Sequence, residues 1–361
     1  IKVTNQRTGG FAGPSLPMVA TNGVFYRAND NNGNELSYFN GTTGVELLDI
    51  RPGTSAGYLI ANDRRNAFVL GNSLLFEADD TGTNDELWIS DGTTVGTTLL
   101  REINPSGDSN PDYFVLLAGE AYFSADSGTG AQLWKTDGTN PGTVLVVEPN
   151  VGGDAAITDI FSDGTTLFFG ASNGVDGIEL WKYDTTNGAV LVKDINVGVG
   201  SSSPSGFVAL NGLIYFSADD GTGAKLWVTD GTSIGTISVA SQFGTSEDPT
   251  GVANITVSGT KLYFSGTGAN GTELFVFDPA TLSTEGPETE IVRLYPNPVK
   301  NAINFTKNMV GSAYILTDLT GREVKKGILS SNTIQINEAK GVYLLKLSKE
   351  GKTRVKKVII E

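Results

Sequence analysis

The chain has 361 residues, enough for two or three domains or for one large all-β unit with an appendage. Its 46 glycines, 17 Phe, 11 Tyr and 4 Trp, set against 2 Met and 18% charged residues, suit many short strands joined by tight turns and argue against helical bundles and coiled coils. The sequence has no Cys and no His, which excludes thiol nucleophiles, disulfides, imidazole bases, Ser-His-Asp triads and the usual zinc and haem sites.

The formal net charge of −15 combines two opposed parts: residues 291–361 hold 13 Lys and Arg against 5 Asp and Glu (+8), whereas residues 1–290 hold 12 against 35 (−23). This asymmetry marks two domains with different surroundings. A polyanionic body is repelled by nucleic acid and anionic lipid, so no nucleic-acid partner is expected; the basic tail either docks on an acidic partner or is a solvated Lys-rich face. No run of 18 apolar residues exists, so no transmembrane helix is expected. The opening IKVTNQRTGG lacks a charged-then-apolar leader, as expected once a signal peptide has been removed.

In chain order, two motifs alternate six times. The first, apolar-aromatic-aromatic before a small residue, ends at Tyr26, Phe76, Phe123, Phe169, Phe216 and Phe264. The second reads ELSYFNGT, ELWISDGT, QLWKTDGT, ELWKYDTT, KLWVTDGT and ELFVFDPA, with its leucine at Leu36, Leu87, Leu133, Leu180, Leu226 and Leu274. All four tryptophans, Trp88, Trp134, Trp181 and Trp227, occupy one position of it. Each repeat of 46 to 51 residues divides into four runs of strand length, such as FVLLA, EAYFSA, QLWKTD and TVLVVE. Pairs such as Asp91-Gly92, Asp137-Gly138 and Asp230-Gly231 supply turn positions with positive φ. Adjacent apolar residues in the runs break strict alternation, as expected for sheets covered on both faces, and such sheets packed in series give a β-propeller. Repeat six stops after ELFVFD, and IKVTNQRTGGFAGPSLP aligns with the missing element and its loop, so residues 2–5 are expected to complete the sixth blade. The fold class expected is therefore all-β: a six-bladed β-propeller over residues 1–278, a linker over 279–290, and a small Ig-like β-sandwich over 291–361.

The repeats resemble the ELWxxDGT repeat proteins of bacterial surfaces, a resemblance that covers residues 1 to about 280 and implies no particular chemistry.

The loops ANDNNGNE, EADDTGTNDE, SADSGTGAQ and SADDGTGAK are acidic and glycine-rich. Two readings stand. Asp79, Asp80, Asp126, Asp219 and Asp220 are candidate Ca²⁺ ligands, since calcium takes six to eight oxygens. Alternatively these carboxylates accept hydrogen bonds from their own turns, as is expected of Asp91, Asp137 and Asp230. No catalytic residue is assigned. A rival enzymatic reading is a secreted glycan-active hydrolase with two carboxylates on the propeller face, although no acidic pair stands out; a sialidase-like site would need arginines converging from several blades, whereas Arg27, Arg51, Arg64, Arg65 and Arg101 all sit in the first third. The tryptophans are expected as blade core rather than a sugar-stacking platform.

In the tail, β runs are expected at Asn301 to Phe305, Ala313 to Leu316, Thr333 to Ile336, Val342 to Leu347 and Arg354 to Ile360. The ordered pieces LYPNPVKN, LTDLTGREVKKG and KGVYLLKLSKEGKTRVKKVIIE resemble the type A sorting domain of type IX secretion cargo in Bacteroidota. The resemblance implies export across the outer membrane to the cell surface or medium, recognition by the translocon and a PorV-like β-barrel shuttle, and later removal of the tail by a sortase. It implies no cofactor. The motif positions it carries over are Pro296, Asn297 and Pro298, then Asp318, Gly321 and Arg322, then Gly341, Val342 and Tyr343, then Lys356, Lys357, Val358, Ile359 and Ile360. A structural role for most of these is the competing reading, with proline fixing a strand start, Gly321 a turn and Tyr343 the core. The terminal strand is the expected recognition element. The propeller is expected to be a non-enzymatic binding or scaffolding module that meets a surface protein or glycan, in adhesion, glycan capture or the gliding machinery.

Overall fold

The computed structural model describes residues 15–30, 33–42, 44–51, 66–80, 84–239, 249–279, 294–295, 298–305, 309–318, 322–349 and 352–361. The chain divides into two compact units, Ile1–Phe277 and Asp278–Glu361.

The first unit is a series of antiparallel meanders. Blade 1 holds β1 (Ser15–Ala20), β2 (Gly23–Asp30), β3 (Gly33–Phe39) and β4 (Gly44–Leu48); blade 2 holds β5 (Ala67–Leu70), β6 (Ser73–Ala78), β7 (Glu86–Ser90) and β8 (Thr98–Arg101). Blade 3 holds β9 (Asp112–Leu117), β10 (Glu120–Asp126), β11 (Ala131–Thr136) and β12 (Val144–Val147); blade 4 holds β13 (Thr158–Ser162), β14 (Leu167–Ser172), β15 (Ile178–Asp184) and β16 (Gly188–Lys193). Blade 5 holds β17 (Ser205–Leu210), β18 (Leu213–Asp219), β19 (Ala224–Thr229) and β20 (Ile237–Ser238), and blade 6 holds β21 (Thr250–Ser258), β22 (Lys261–Gly268) and β23 (Gly271–Phe277). The first strands of consecutive sheets lie side by side, β1 by β5, then β9, β13, β17 and β21, which is the arrangement of a six-bladed propeller. Residues 2–5, expected to close blade 6, lie outside the described residues.

The two sequence motifs meet across the hairpin between second and third strands. Phe76 is directly opposite Trp88, Phe123 opposite Trp134, Phe169 opposite Trp181 and Phe216 opposite Trp227. All six aromatics of the first motif are buried, and the motif leucines are 0–2% exposed in blades 1 to 5. Trp88, Trp134 and Trp227 are 7–8% exposed, so they are blade core and not a sugar platform. Leu274 of blade 6 is the exception at 76% exposed.

The loop between third and fourth strands is the same hydrogen-bonded object in blades 2, 3 and 5. Asp91 Oδ1 accepts from Thr93 N (2.9 Å) and Thr93 Oγ1 (2.7 Å), and Asp137 with Thr139 and Asp230 with Thr232 repeat this at 2.7–2.9 Å. A second tie joins the strand ends: Ser90 to Thr97, Thr136 to Thr143 and Thr229 to Thr236, hydroxyl to hydroxyl, at 2.7–2.8 Å. The motif glycine also docks the loop on the preceding blade. Gly92, at φ +91°, lies where a Cβ would sit 2.8 Å from the Tyr38 ring of blade 1, so both its backbone and its surroundings require glycine. Arg101 of blade 2 donates to Asn140 Oδ1 in the blade 3 loop (2.9 Å), and Lys193 of blade 4 donates to Thr236 O in the blade 5 loop (2.7 Å). Each such loop is thus a latch between neighbouring blades.

A feature absent from the sequence reading is a left-handed residue at the second position of the innermost strand: Leu16 (φ 53°), Tyr113 (58°), Asp159 (46°), Gly206 (66°) and Gly251 (62°). A β-bulge accompanies it in each of these five blades. The Asp159 carboxylate accepts a hydrogen bond from Gly206 N, joining the bulges of blades 4 and 5.

Among the described residues the second unit is a seven-stranded sandwich. β24 (Leu294–Tyr295), β25 (Ala302–Phe305) and β28 (Thr333–Gln335) form one sheet; β27 (Glu323–Ile328), β26 (Ala313–Asp318), β29 (Gly341–Lys349) and β30 (Lys352–Ile360) form the other in that order. Ile303, Phe305 and Ile334 from the first sheet pack with Leu316, Leu345, Leu347 and Val358 from the second in one core. The expectation of five strands is corrected to seven. β24 is only two residues long, and β27 reads EVKKGI, whose adjacent lysines and glycine hide an edge strand from a hydrophobic pattern.

At Gly142 an added Cβ would lie 2.0–2.5 Å from the Asp137 carboxyl group, which is held in place by Thr139; at Gly107 the nearest atom is 3.8 Å away. Gly142→Ala is therefore expected to lower the unfolding free energy by about 1–3 kcal/mol and Gly107→Ala by less than about 0.5 kcal/mol, read from denaturant midpoints.

Candidate functional site

Connections from second to third strand and from fourth strand to the next blade emerge on one face of an up-and-down meander, and the expected cation ligands lie there. The floor of this face is built by buried side chains at the start of the third strands. Glu86 accepts from Ile103 N (2.7 Å) and Asn104 N (2.9 Å); Glu179 accepts from Ile195 N (2.7 Å), Ser202 N (2.8 Å) and Ser202 Oγ (2.6 Å). Burial pushes both carboxyls up, opposed by these donors. In blade 3 the equivalent Gln132 instead donates from Nε2 to Gly153 O (2.6 Å). The E or Q of the motif thus ties its strand to the connection leading into the next blade.

Above them sits an asparagine that the sequence reading missed. Asn104, Asn150 and Asn196 recur at 46-residue intervals. Each donates from Nδ2 across its own loop, to Asp108 O (3.0 Å), Asp154 O (2.9 Å) and Ser201 O (3.3 Å). Each is also packed against a glycine of the next blade's loop, Gly128, Gly174 or Gly221. The spacing alone would have found them.

The five candidate calcium ligands are spread over blades 2, 3 and 5. Asp126 Oδ1 accepts from Gly128 N (2.6 Å) and Gly130 N (2.8 Å), and Asp219 Oδ1 from Gly221 N and Gly223 N (both 2.8 Å). Asp220 accepts from Thr222 N (3.2 Å) and lies 3.8 Å from Lys225 Nζ. Asp79 is buried with Arg51 at 3.4 Å, and Asp80 is exposed. Among the described residues no group of three or more acidic side chains is placed to hold a metal ion. Asp91, Asp137 and Asp230 are turn formers, as described above.

The most perturbed acids are in blade 2. Glu77 is pushed up to about 7, first by burial and then by Asp85, Asp112 and Asp108, against a hydrogen bond from Asn66. Asp85 is pushed up to about 6 by burial, Asp108, Asp79 and Glu86, with Arg51 opposing. Arg51 and Arg101 serve different loops, and Arg64 and Arg65 lie outside the described residues.

In the tail, Asp318 and Arg322 clamp a turn: Arg322 N donates to Oδ1 (3.1 Å) and Arg322 Nε to Oδ2 (3.0 Å). Gly341 opens β29, and Tyr343, two residues on, is core, its hydroxyl donating to Ala339 O (2.8 Å). Val299, next to exposed Pro298, bridges the end of β30: its N–H donates to Ile359 O (2.6 Å) and it accepts from Glu361 N (2.8 Å). The first and last sorting motifs are therefore neighbours. Val358 and Ile360 are buried, Val342, Ile359 and Lys356 half-buried, and Lys357 exposed. Pro296, Asn297 and Gly321 lie outside the described residues.

Residues 293–361 match the secretion system C-terminal sorting domain. No curated protein matches the chain. Among solved structures, it is similar to PorZ, a surface component of the type IX secretion system of Porphyromonas gingivalis, at 13% identity and TM-score 0.42, covering 99% of this chain and 53% of that one. It is also similar to a prolyl endopeptidase structure at 13% identity and TM-score 0.49, covering 97% and 50%. A third is the β-propeller domain of the Trilobed protease of Pyrococcus furiosus, at 12% identity and TM-score 0.40, covering 96% and 98%. The chain thus spans about half the length of the first two.

Folded pKa values of about 7 for Glu77 and about 6 for Asp85 exceed the ordinary 4.5 and 3.8, so the folded protein binds more protons than the unfolded chain between those limits. Their contribution to stability is lost as pH rises through 6 and 7. The propeller is expected to melt at a higher temperature at pH 5 than at pH 8, and Glu77→Gln to remove much of that difference, in thermal scans across this range.

Proposed function

We propose that the chain is a type IX secretion substrate whose propeller acts at the cell surface or outside as a non-enzymatic binding or scaffolding module. The observation that carries the export reading is the sorting-domain match over residues 293–361, on a separately folded basic unit. Such a tail marks the chain for transfer across the outer membrane. No helix among the described residues is long and apolar enough to cross a membrane. The translocon and a PorV-like barrel are the proposed readers of the tail, with removal by a sortase afterwards.

For the propeller, the loop carboxylates Asp126, Asp219 and Asp220 are committed to their own turns, which supports binding through a rigid loop surface over catalysis. The similarity of the repeats to ELWxxDGT surface proteins supports adhesion or attachment to the gliding machinery. The rival reading, a glycan hydrolase, has one observation in its favour: Glu77 and Asp85 carry raised pKa values in the range that acid–base chemistry uses.

In a type IX host, the full chain is expected outside the outer membrane, and a chain ending at Thr284 to accumulate in the periplasm with at least a tenfold lower exported fraction. Equal export of both forms contradicts the proposal. On a polysaccharide panel the propeller is expected to release no product; release that disappears in Glu77→Gln selects the hydrolase instead.

A further inference from the structure

We infer that the outer face of the four-stranded sheet in the sorting unit, rather than the edge of its last strand, is the surface that the export apparatus reads, and that its partner is a protein surface with an apolar centre and acidic surroundings. The inference rests on the tail being the export signal.

Side chains of an antiparallel strand alternate between faces, and a sheet covered on one side is expected to be polar on the other. The inner face follows the rule: Leu316, Leu345, Leu347 and Val358 are 0–1% exposed. The outer face does not. Leu344 is 40% exposed, Val355 51% and Ile328 73%, with Ile315 half-buried among them. Lysines are set between these aliphatics by strand register, not by chance proximity: Ile315 is opposite Lys346, Lys346 opposite Val355, and Leu344 opposite Lys357. Both lysines are exposed. Four adjacent strands therefore present one patch of aliphatic and cationic side chains, within residues 291–361, where Lys and Arg outnumber Asp and Glu 13 to 5.

The chemistry of this patch selects its partner. Exposed aliphatics in a contiguous patch mark an interaction site, and the cations demand carboxylates around an apolar counterpart. An anionic lipid surface would meet three exposed lysines here, Lys326, Lys346 and Lys357, the first of them paired with Glu323 at 2.7 Å, which is a weak hold, and the backbone-fixed spacing of charge and methyl groups is information that only a surface of fixed geometry can read.

The test uses the full chain in a type IX host. Lys346→Glu with Lys357→Glu, and separately Leu344→Thr with Val355→Thr, are each expected to cut the exported fraction at least tenfold while leaving the melting temperature of the purified chain near that of the wild type. A charge-matched control outside the three sorting motifs, Lys261→Glu with Lys307→Glu, is expected to export normally. Wild-type export by the folded face variants, or an equal loss in the control, overturns the inference. So does wild-type binding to phosphatidylglycerol vesicles that the charge reversal abolishes while export persists, which assigns the face to lipid. If instead the chain ending at Thr284 is exported as well as the full chain, the reading of the tail as an export signal fails, independently of which face is read.

Discussion

Backbone donors at the ends of strands must find acceptors, and in this molecule short polar side chains of the loops supply them. The interior blades use this solution in different combinations. Asp91, Asp137 and Asp230 close the third-to-fourth loop, Glu86 and Glu179 close the connection to the next blade, and Asn104, Asn150 and Asn196 brace that connection from above. The aromatic pairs inside each blade supply the apolar burial, but the loop caps set where one blade stops and the next begins. Arg101 and Lys193 then carry the same logic across blades by donating to the neighbour's loop.

The sequence made the propeller legible because the repeat unit is also the packing unit: an aromatic and a Leu-Trp pair at fixed spacing can meet only across one hairpin, and they do, as Phe123 with Trp134. The inner-strand bulges were not legible. A left-handed Leu16 or Tyr113 has no local residue preference to betray it, since it accompanies a bulge in pairing with the next strand. Leu274 carries the motif yet is exposed, so the motif alone does not fix burial. In the tail, the motif residues were legible as a set, but the contact of Val299 with the end of β30, which makes the first and last motifs one feature, is long-range pairing that no spacing announces.

The two units divide the work by charge and by rigidity. The propeller is acidic, and Asp126 and Asp219 in its loops accept hydrogen bonds from their own turns. The sorting unit is basic, and it places aliphatic and cationic groups side by side on an exposed sheet. The export signal lies in the basic unit, where residues 293–361 match the sorting domain.

Native-state hydrogen exchange on the full chain reads the loop caps through the amides of Thr93, Thr139 and Thr232 and of Ile103 and Ile195, all bonded to loop-capping side chains. These loop amides are expected to exchange as slowly as the strands they join, opening together with their blade. Exchange at the rate of free loops, with the strands still protected, would contradict this expectation.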